Sequence, residues 1–263
     1  MNSNHEELAF APKVVLGLPA IAHQPGRIHK KTLIDQAASQ TTDAALITRA
    51  VAGASVEAVL RAENVKIPAH ADGQRRVDDI AVFHVDLSES ASAGDVSRLV
   101  ELLHRSMPRP LILFLTSPRD GELLSLALTH LNLGDPDRAT SVVDRSVVVP
   151  LRSVAPGALR LDQLNRSDLW TFYRDMVRVA AADGQPASTS LSVEDALDLR
   201  GRLASLQSEL QGVVRDAQRE KSQARRIDLN TRARDLRQQI ETVAGSLYSP
   251  TRRTDRHPRP IDR

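Results

Sequence analysis

A strand–helix–strand pattern between residues 79 and 115 constrains the fold of this chain more than any other feature. Residues 80–87 (IAVFHVDL) alternate in the manner of a strand, with Phe83, Val85 and Leu87 on one face. Asp95 is predicted to cap a helix with an apolar stripe, which ends before Pro108. Residues 111–115 (LILFL) are typical of a strand buried on both faces. A crossover of about two dozen residues suits parallel strands, so we expect a βαβ unit.

The remaining elements predict an α/β fold, with α+β as the alternative, built on a small, mostly parallel sheet. Helices are predicted at residues 31–38, 44–51 and 55–62, the last from the spacing of Val56, Val59 and Leu60. Residues 123–131 and 141–151 extend the sheet if both are strands, joined by a turn at GDPD, residues 134–137. A further helix is expected at 161–181. Its aromatic cluster, WTFY at 170–173, is expected to anchor that helix; the alternative is a platform for stacking nucleic-acid bases.

Composition restricts the classes of function. The chain has no cysteine, which excludes disulfides, thiolate metal sites and a cysteine nucleophile. Its N-terminus is unlike a signal peptide, and its apolar runs are far shorter than the ~20 residues that span a bilayer. We therefore expect a soluble, cytoplasmic protein without membrane contact. Phosphate-binding glycine loops and serine-hydrolase elbows are absent from the sequence, so no catalytic residue and no cofactor are predicted.

The period of the apolar residues changes after residue 190. We predict an α/β domain at 1–182, a linker at 183–190, a coiled-coil-like helical arm at 191–248 and a disordered basic tail at 249–263. The arm has two heptad seams: Leu199, Leu203, Leu206, Leu210, Val213 and Ala217, then Leu229, Ala233, Leu236, Ile240, Val243 and Leu247. The seams are out of phase. One continuous or mildly kinked helix is favoured because no Gly or Pro marks a reversal; the alternative is a hairpin that turns near 218–226.

The exposed seams of such a helix would need a partner, because a long helix with apolar stripes is unstable alone in water. The residues expected at an interface are Leu199, Leu203, Leu206, Leu210, Leu229, Leu236, Ile240 and Val243. A homodimer or docking onto another protein would cover them. Packing against the chain's own domain, or a hairpin, is the alternative.

Charge is distributed unevenly along the chain. Residues 199–263 hold 15 Lys and Arg against 8 Asp and Glu, whereas residues 1–198 hold 20 against 25. The arm carries eight closely spaced cations: Arg215, Arg219, Lys221, Arg225, Arg226, Arg232, Arg234 and Arg237. Guanidinium groups suit phosphate oxygens, so these residues are candidates for nucleic-acid binding. The alternative is a solvated helix face on which pairs such as Asp228 and Arg232 neutralise each other.

Asp79, His84 and Asp86 are weak candidates for a metal site on the first strand of the βαβ unit. Carboxylates and imidazoles suit divalent ions. The neighbouring strand, residues 111–115, has no Glu-x-Lys pair of the kind that restriction-type nucleases carry. An ordinary half-exposed strand face is the simpler interpretation, and no metal is predicted.

The segment from Glu220 to Asn230 (EKSQARRIDLN), followed by Arg234, Leu236 and Ile240, resembles the C-terminal motif of a bacterial family, domain of unknown function 4391. The motif positions are Glu220, Gln223, Arg226, Leu229 and Asn230. Leu18-Pro19, the strand at 79–87 and residues 110–114 are also similar to the family, so the resemblance covers most of residues 13–245. It implies no activity; genes of such proteins often lie beside helicase and DNA-methyltransferase genes.

These features lead us to expect a non-catalytic assembly subunit of a bacterial DNA-transacting or phage-defence system. Its partner would be a helicase or methyltransferase of the same system, or a second copy of the chain. One alternative is direct, non-specific nucleic-acid binding by the arginine-rich helix. The other is an unfamiliar metal-dependent enzyme, such as a nuclease, centred on Asp79, His84 and Asp86.

Overall fold

The computed structural model describes residues 12–73, 75–131, 141–185 and 191–248. Contacts divide the chain into two compact units, Met1–Gln185 and Pro186–Arg263. The predicted basic tail at 249–263, the GDPD turn and residues 186–190 of the predicted linker lie outside the described residues. The first unit contains a sheet with helices, and the second contains two long helices.

Eight strands are found in the described part of the first unit. They are β1 (His23–Arg27), β2 (Val51–Arg61), β3 (His70–Ala71), β4 (Arg76–Val77), β5 (Asp79–Leu87), β6 (Leu111–Ser117), β7 (Gly121–Leu131) and β8 (Ser141–Pro150). Six of them form one sheet in the order β1-β2-β5-β6-β7-β8, and β3 pairs with β4 in a small hairpin. The fold is therefore α/β, as predicted.

The predicted βαβ unit is present. β5 and β6 are parallel, with Ala81 opposite Leu111 and Val85 opposite Leu115, and one helix connects them. The other neighbours in the six-stranded sheet are antiparallel, so the expectation of a mostly parallel sheet is wrong. The short connection between β6 and β7 explains part of this difference, because three residues can join only antiparallel strands. Gly121, at φ +74°, begins the return strand.

Helices of the first unit are α1 (Pro12–Val15), α2 (Lys30–Ala37), α3 (Thr41–Ala50), α4 (Ala62–Val65), α5 (Ala93–Ser106) and α6 (Leu169–Ala181). Ser92, and not Asp95, caps α5. The Ser92 hydroxyl accepts the Asp95 N–H at 3.2 Å, and the Asp95 carboxylate accepts the Ser92 N–H at 3.0 Å. Asp95 thus closes a capping box as the third helical residue.

The segment predicted as a helix at residues 55–62 is strand β2. The ladder between β2 and β5 shifts register between Val56 and Ala58, which is the mark of a β-bulge. A bulge changes which side chains face the core, so Ala58 and Leu60 are buried while Val56 and Val59 are only partly covered. That interruption of the two-residue period produced the false helical spacing of the apolar residues.

Helices α2, α3 and α5 pack on one face of the sheet. Their apolar side chains form a core with Phe83, Val85, Leu113 and Leu115 of the central strands. The exposed guanidinium of Arg98 on α5 reaches the buried Asp43 carboxylate of α3 at 3.0 Å. This layer holds the crossover helix in place.

Helix α6 contacts β5, β7 and β8. It starts at Leu169 with Asp168 as its cap, later than the predicted residue 161, which lies in turns. Phe172 and Tyr173 are fully buried, so the aromatic cluster anchors this helix as expected. The Tyr173 hydroxyl accepts the Ala127 N–H at 3.1 Å and lies 3.0 Å from the carbonyls of Leu111 and Ala127. It therefore bridges β6 and β7 at the end of their ladder.

The second unit contains α7 (Val193–Arg219) and α8 (Gln223–Tyr248). Across the described residues, no helix has the length and apolar character needed to cross a membrane.

Candidate nucleic-acid interface

Helices α7 and α8 form an antiparallel hairpin, so the favoured prediction of one continuous helix is wrong. Two contacts set the register: the Arg232 guanidinium lies 2.6 Å from the Glu209 carboxylate, and Arg200 donates to the Tyr248 hydroxyl at 3.0 Å. The midpoint along the chain lies between residues 220 and 221 for the Glu209–Arg232 pair, and at residue 224 for the Arg200–Tyr248 pair. The reversal falls within the segment 218–226 that the alternative prediction specified.

The turn is built from polar residues instead of Gly or Pro. Glu220 leaves the helical region at φ −70° and ψ 127°, which ends α7. Its carboxylate accepts the Ser222 N–H at 2.8 Å, and the Ser222 carbonyl accepts the Arg226 N–H of α8 at 3.0 Å. The Glu220 side chain therefore supplies the hydrogen bond that stabilises the reversal.

The two seams predicted for the arm pack within the hairpin. Leu203, Leu206 and Val213 of α7 are buried, as are Ala233, Leu236 and Val243 of α8, while Leu199, Leu210, Leu229 and Ile240 are partly covered. The two seams do not need a common heptad phase, because the chain reverses between them. Each seam only has to face the apolar stripe of the opposite helix. The apolar stripes thus pack against each other within the described hairpin.

All eight predicted cations of the arm are exposed. Within the described residues, Arg232 alone among them forms an ion pair, and its partner is Glu209 across the hairpin instead of Asp228 on its own helix. The charges around the turn, on Arg219, Lys221, Arg225 and Arg226, are open to solvent. Between Glu209 and Arg237 the hairpin carries eight cations against five carboxylates, so its turn end has an excess of positive charge.

The hairpin has two chemically different sides. Gln211, Arg215 and Gln218 of α7 line a shallow groove of about 460 Å³ together with Arg237 of α8. On α8, Gln223, Arg226, Asn230, Arg234 and Arg237 follow each other at steps of three or four residues and are exposed. We call these eight side chains the amide–arginine face. None of the eight is a carboxylate, and Glu241 bounds this row of α8 four residues beyond Arg237; Glu209, Asp216, Asp228 and Asp235 lie toward the side of the Glu209–Arg232 pair.

Helix α8 begins with the charge that its dipole disfavours. The first turn of a helix is stabilised by carboxylates, and α7 follows this rule with Glu194 and Asp195. The first turn of α8 has no acidic residue and instead presents Arg225 and Arg226 at its end. Each such cation costs roughly 0.3–1 kcal/mol. Helix α2 starts in the same way with Lys30 and Lys31, so what distinguishes the start of α8 is the excess of cations around the turn of the hairpin.

The three weak metal candidates do not come together. Asp79 lies at one end of β5, where its carboxylate is 2.7 Å from Arg109 and 3.9 Å from Arg61. Asp86 lies about 23 Å further along the strand at ~3.3 Å per residue. The described residues contain no group of three or more His, Asp or Glu side chains that could hold a metal ion. The proposed centre of Asp79, His84 and Asp86 is therefore not formed.

His84 belongs to a hydrogen-bonded chain that the sequence could not reveal. Its Nε2 lies 2.7 Å from the Thr116 hydroxyl, which donates to the Glu122 carboxylate at 3.0 Å. Because the hydroxyl has one proton, Thr116 accepts from a protonated Nε2. Asp86 is more distant, at 3.8 Å from the same nitrogen. The three residues come from β5, β6 and β7, so their proximity depends on the sheet order.

Comparison with known proteins identifies one family. The sequence pattern of the family described as a domain of unknown function (DUF4391) matches residues 16–240. No curated protein and no solved structure matches the chain. The matched segment includes the sheet, α7 and most of α8, together with the motif at residues 220–230. The chain therefore belongs to the DUF4391 family.

Proposed function

We propose that this protein is a non-catalytic nucleic-acid-binding subunit of a bacterial DNA-transacting or phage-defence system. Its hairpin holds the phosphate backbone through the cations around the turn. The observation that carries the proposal is the excess of exposed cations around the turn of the hairpin, among which Arg225 and Arg226 lie, without ion pairs in the described structure, in a first helical turn that disfavours them. A phosphate group would convert that unfavourable position into a favourable one.

The internal packing of the seams favours this function over the assembly function expected first. Docking through the arm required apolar stripes that were left exposed. In the hairpin the stripe of α7 is covered by the stripe of α8. Leu206 and Leu236, which were expected at an intermolecular interface, are 9% and 4% exposed. The cations and amides remain as the prominent exposed groups of the hairpin.

The test is binding of a short mixed-sequence duplex at 50 and 200 mM salt. If four cations contact phosphates, the affinity should fall about 150-fold over this range, from a slope near −0.9 per contact. The variant R225E/R226E should bind at least tenfold more weakly than the wild type. It should also resist urea slightly better, by roughly 1 kcal/mol, because glutamates suit the first turn of a helix.

Lys30 and Lys31 provide the matched control. They are exposed and occupy the first turn of α2, so K30E/K31E makes the same change of charge at another helix start. This variant should bind the duplex nearly as well as the wild type. Equal losses of affinity in the two double variants would mean that net charge alone attracts DNA, and the proposal would be wrong.

A second candidate function is docking onto a protein partner through the sheet. In the described chain β8 pairs with β7 alone, and its Val142 and Val148 are 39% and 38% exposed. Exposed edge strands pair readily with other chains, and lysine on the edge blocks such pairing. If a partner chain pairs with β8, V142K/V148K should release it, and the mass measured by light scattering should fall. An unchanged mass would exclude the β8 edge as the docking site.

A further inference from the structure

The amide–arginine face has a composition that phosphate binding alone does not require. Four of its eight residues are uncharged amides: Gln211 and Gln218 on α7, and Gln223 and Asn230 on α8. Counterion release depends on positive charge, to which an amide contributes nothing. The stability of the hairpin does not require them either, because side chains that flank a helical seam stabilise it best as pairs of opposite charge.

An amide side chain has a donor and an acceptor side by side. Asn and Gln use this pair to bind adenine at N6 and N7 in the major groove, and Arg binds guanine at O6 and N7 in the same way. On α8 the exposed sequence of amide, guanidinium, amide and guanidinium is Gln223, Arg226, Asn230 and Arg234. Ile227, which is 57% exposed, lies beside them and suits the methyl group of thymine.

The dimensions of α8 fit the major groove. Gln223 and Asn230 are seven residues apart, which is about 10.5 Å along a helix and corresponds to roughly three base pairs. A helix with its side chains is about 10–12 Å wide, and the groove is about 12 Å wide. Arg237 lies toward the end of the face away from the turn and lines one groove with Arg215, where both can contact phosphates beside the major groove.

We propose that the amide–arginine face reads base edges in the major groove of duplex DNA. Gln223 and Asn230 recognise adenine, and Arg234 recognises guanine, while Arg225 and Arg226 hold phosphate. This inference rests on the proposed function, since it adds sequence preference to backbone binding by the same hairpin. The preferred site is a short run of about three to five base pairs that contains both A and G.

Duplex DNA fits this face better than single strands or RNA. Binding of single strands uses aromatic side chains that stack on bases. The single aromatic residue in the described hairpin is Tyr248, which lies at the end away from the turn and bonds to Arg200. The major groove of an RNA duplex is too deep and narrow for a helix to read.

The test is selection of bound duplexes from a randomised pool by the full-length protein, followed by affinity measurement on the enriched and scrambled sequences. The wild type should enrich a short motif with A and G. In Q223A/N230A, the ratio of affinities for the enriched and the scrambled duplex should fall by about 5- to 150-fold for each adenine contact that is removed. Its affinity for the scrambled duplex, and the salt dependence of that affinity, should stay within about threefold of the wild type.

Gln239 supplies the control, because it is exposed on the same helix one turn beyond Asp235 on the acidic side. Q239A should select the same motif as the wild type. Salt-sensitive binding without an enriched motif would overturn base reading and leave the proposed function standing. Preferential binding of single strands or RNA would overturn the assignment to the major groove. Absence of binding to every probe would remove the proposed function as well.

Discussion

His104 is a histidine held without charge in the core between α5 and β7. It is 2% exposed, and its Nε2 lies 2.9 Å from the Ser125 hydroxyl. Burial lowers the pKa of His104 from 6.5 to about 3. In the unfolded chain the same imidazole takes up a proton below its ordinary pKa. Because the unfolded state then binds a proton that the folded state does not, the protein loses stability as the pH falls.

We predict that this one residue makes the fold sensitive to acid between pH 6.5 and about 3. The loss should be about 1.4 kcal/mol per pH unit below 6.5, hence about 2 kcal/mol at pH 5. Urea unfolding of the wild type and H104Q at pH 7.5 and pH 5.0 measures it. H104Q should be less stable at pH 7.5 but should lose less on acidification.

His29, an exposed histidine that precedes α2, is the control for this measurement. H29Q should keep the pH profile of the wild type. If H104Q and the wild type lost equal stability between the two pH values, another group would be responsible for the acid sensitivity.

At the scale of the element, the hairpin changes the expected effect of L236E. From the sequence alone, this substitution would be expected to disrupt an oligomer. Leu236 is 4% exposed within the hairpin, and Ile227 on the same helix is 57% exposed. L236E places a carboxylate among apolar side chains and should cost several kcal/mol. I227E should be nearly neutral. We predict a loss of circular dichroism at 222 nm in L236E alone, with no dependence on protein concentration.

Light scattering on the same variants separates packing within the hairpin from packing between chains. L236E should have the same mass as I227E, since the seams pack within one chain. A mass that fell in L236E while the helical signal stayed intact would mean that the seam joins two molecules.

The elements differ in how well the sequence predicted them, for physical reasons. The βαβ unit was predicted because strand alternation, an amphipathic helix and a buried strand are local patterns. Strand β2 was missed because its bulge breaks the two-residue period near Val56. The hairpin turn was only the alternative prediction, because Glu220 makes it with a side-chain hydrogen bond instead of a glycine. The phase break between the seams was the available signal for a reversal.

The candidate interface could be predicted only in part. Its cations are evident in the sequence, but the separation of amides from carboxylates appears only when α7 and α8 are placed antiparallel in register. Arg215 and Arg237 are 22 residues apart and line one groove. Asp228 and Arg232 have the spacing of an ion pair, yet Arg232 binds Glu209. Pairing across a hairpin depends on a register that spacing along one helix does not contain.

At the scale of the whole molecule, the uneven charge predicts where DNA would bind under the proposed function. Residues 1–198 carry 20 Lys and Arg against 25 Asp and Glu, and residues 199–263 carry 15 against 8. A polyanion is repelled by the first part and attracted by the second. Contacts with a duplex should therefore be confined to the C-terminal part, although exposed arginines such as Arg49 and Arg76 occur in the first unit.

Arginine footprinting of the full-length protein tests that restriction. With a reagent that modifies exposed guanidinium groups and mass spectrometry as the readout, duplex DNA at 50 mM salt should protect Arg215, Arg226 and Arg234. Protection should disappear at 300 mM salt, since phosphate contacts weaken steeply with salt. Arg232 serves as an internal control, because its pair with Glu209 places it on the acidic side. Its labelling should not change, nor should that of Arg49 and Arg76. Protection spread evenly over both units would show that the duplex lies elsewhere than on the hairpin.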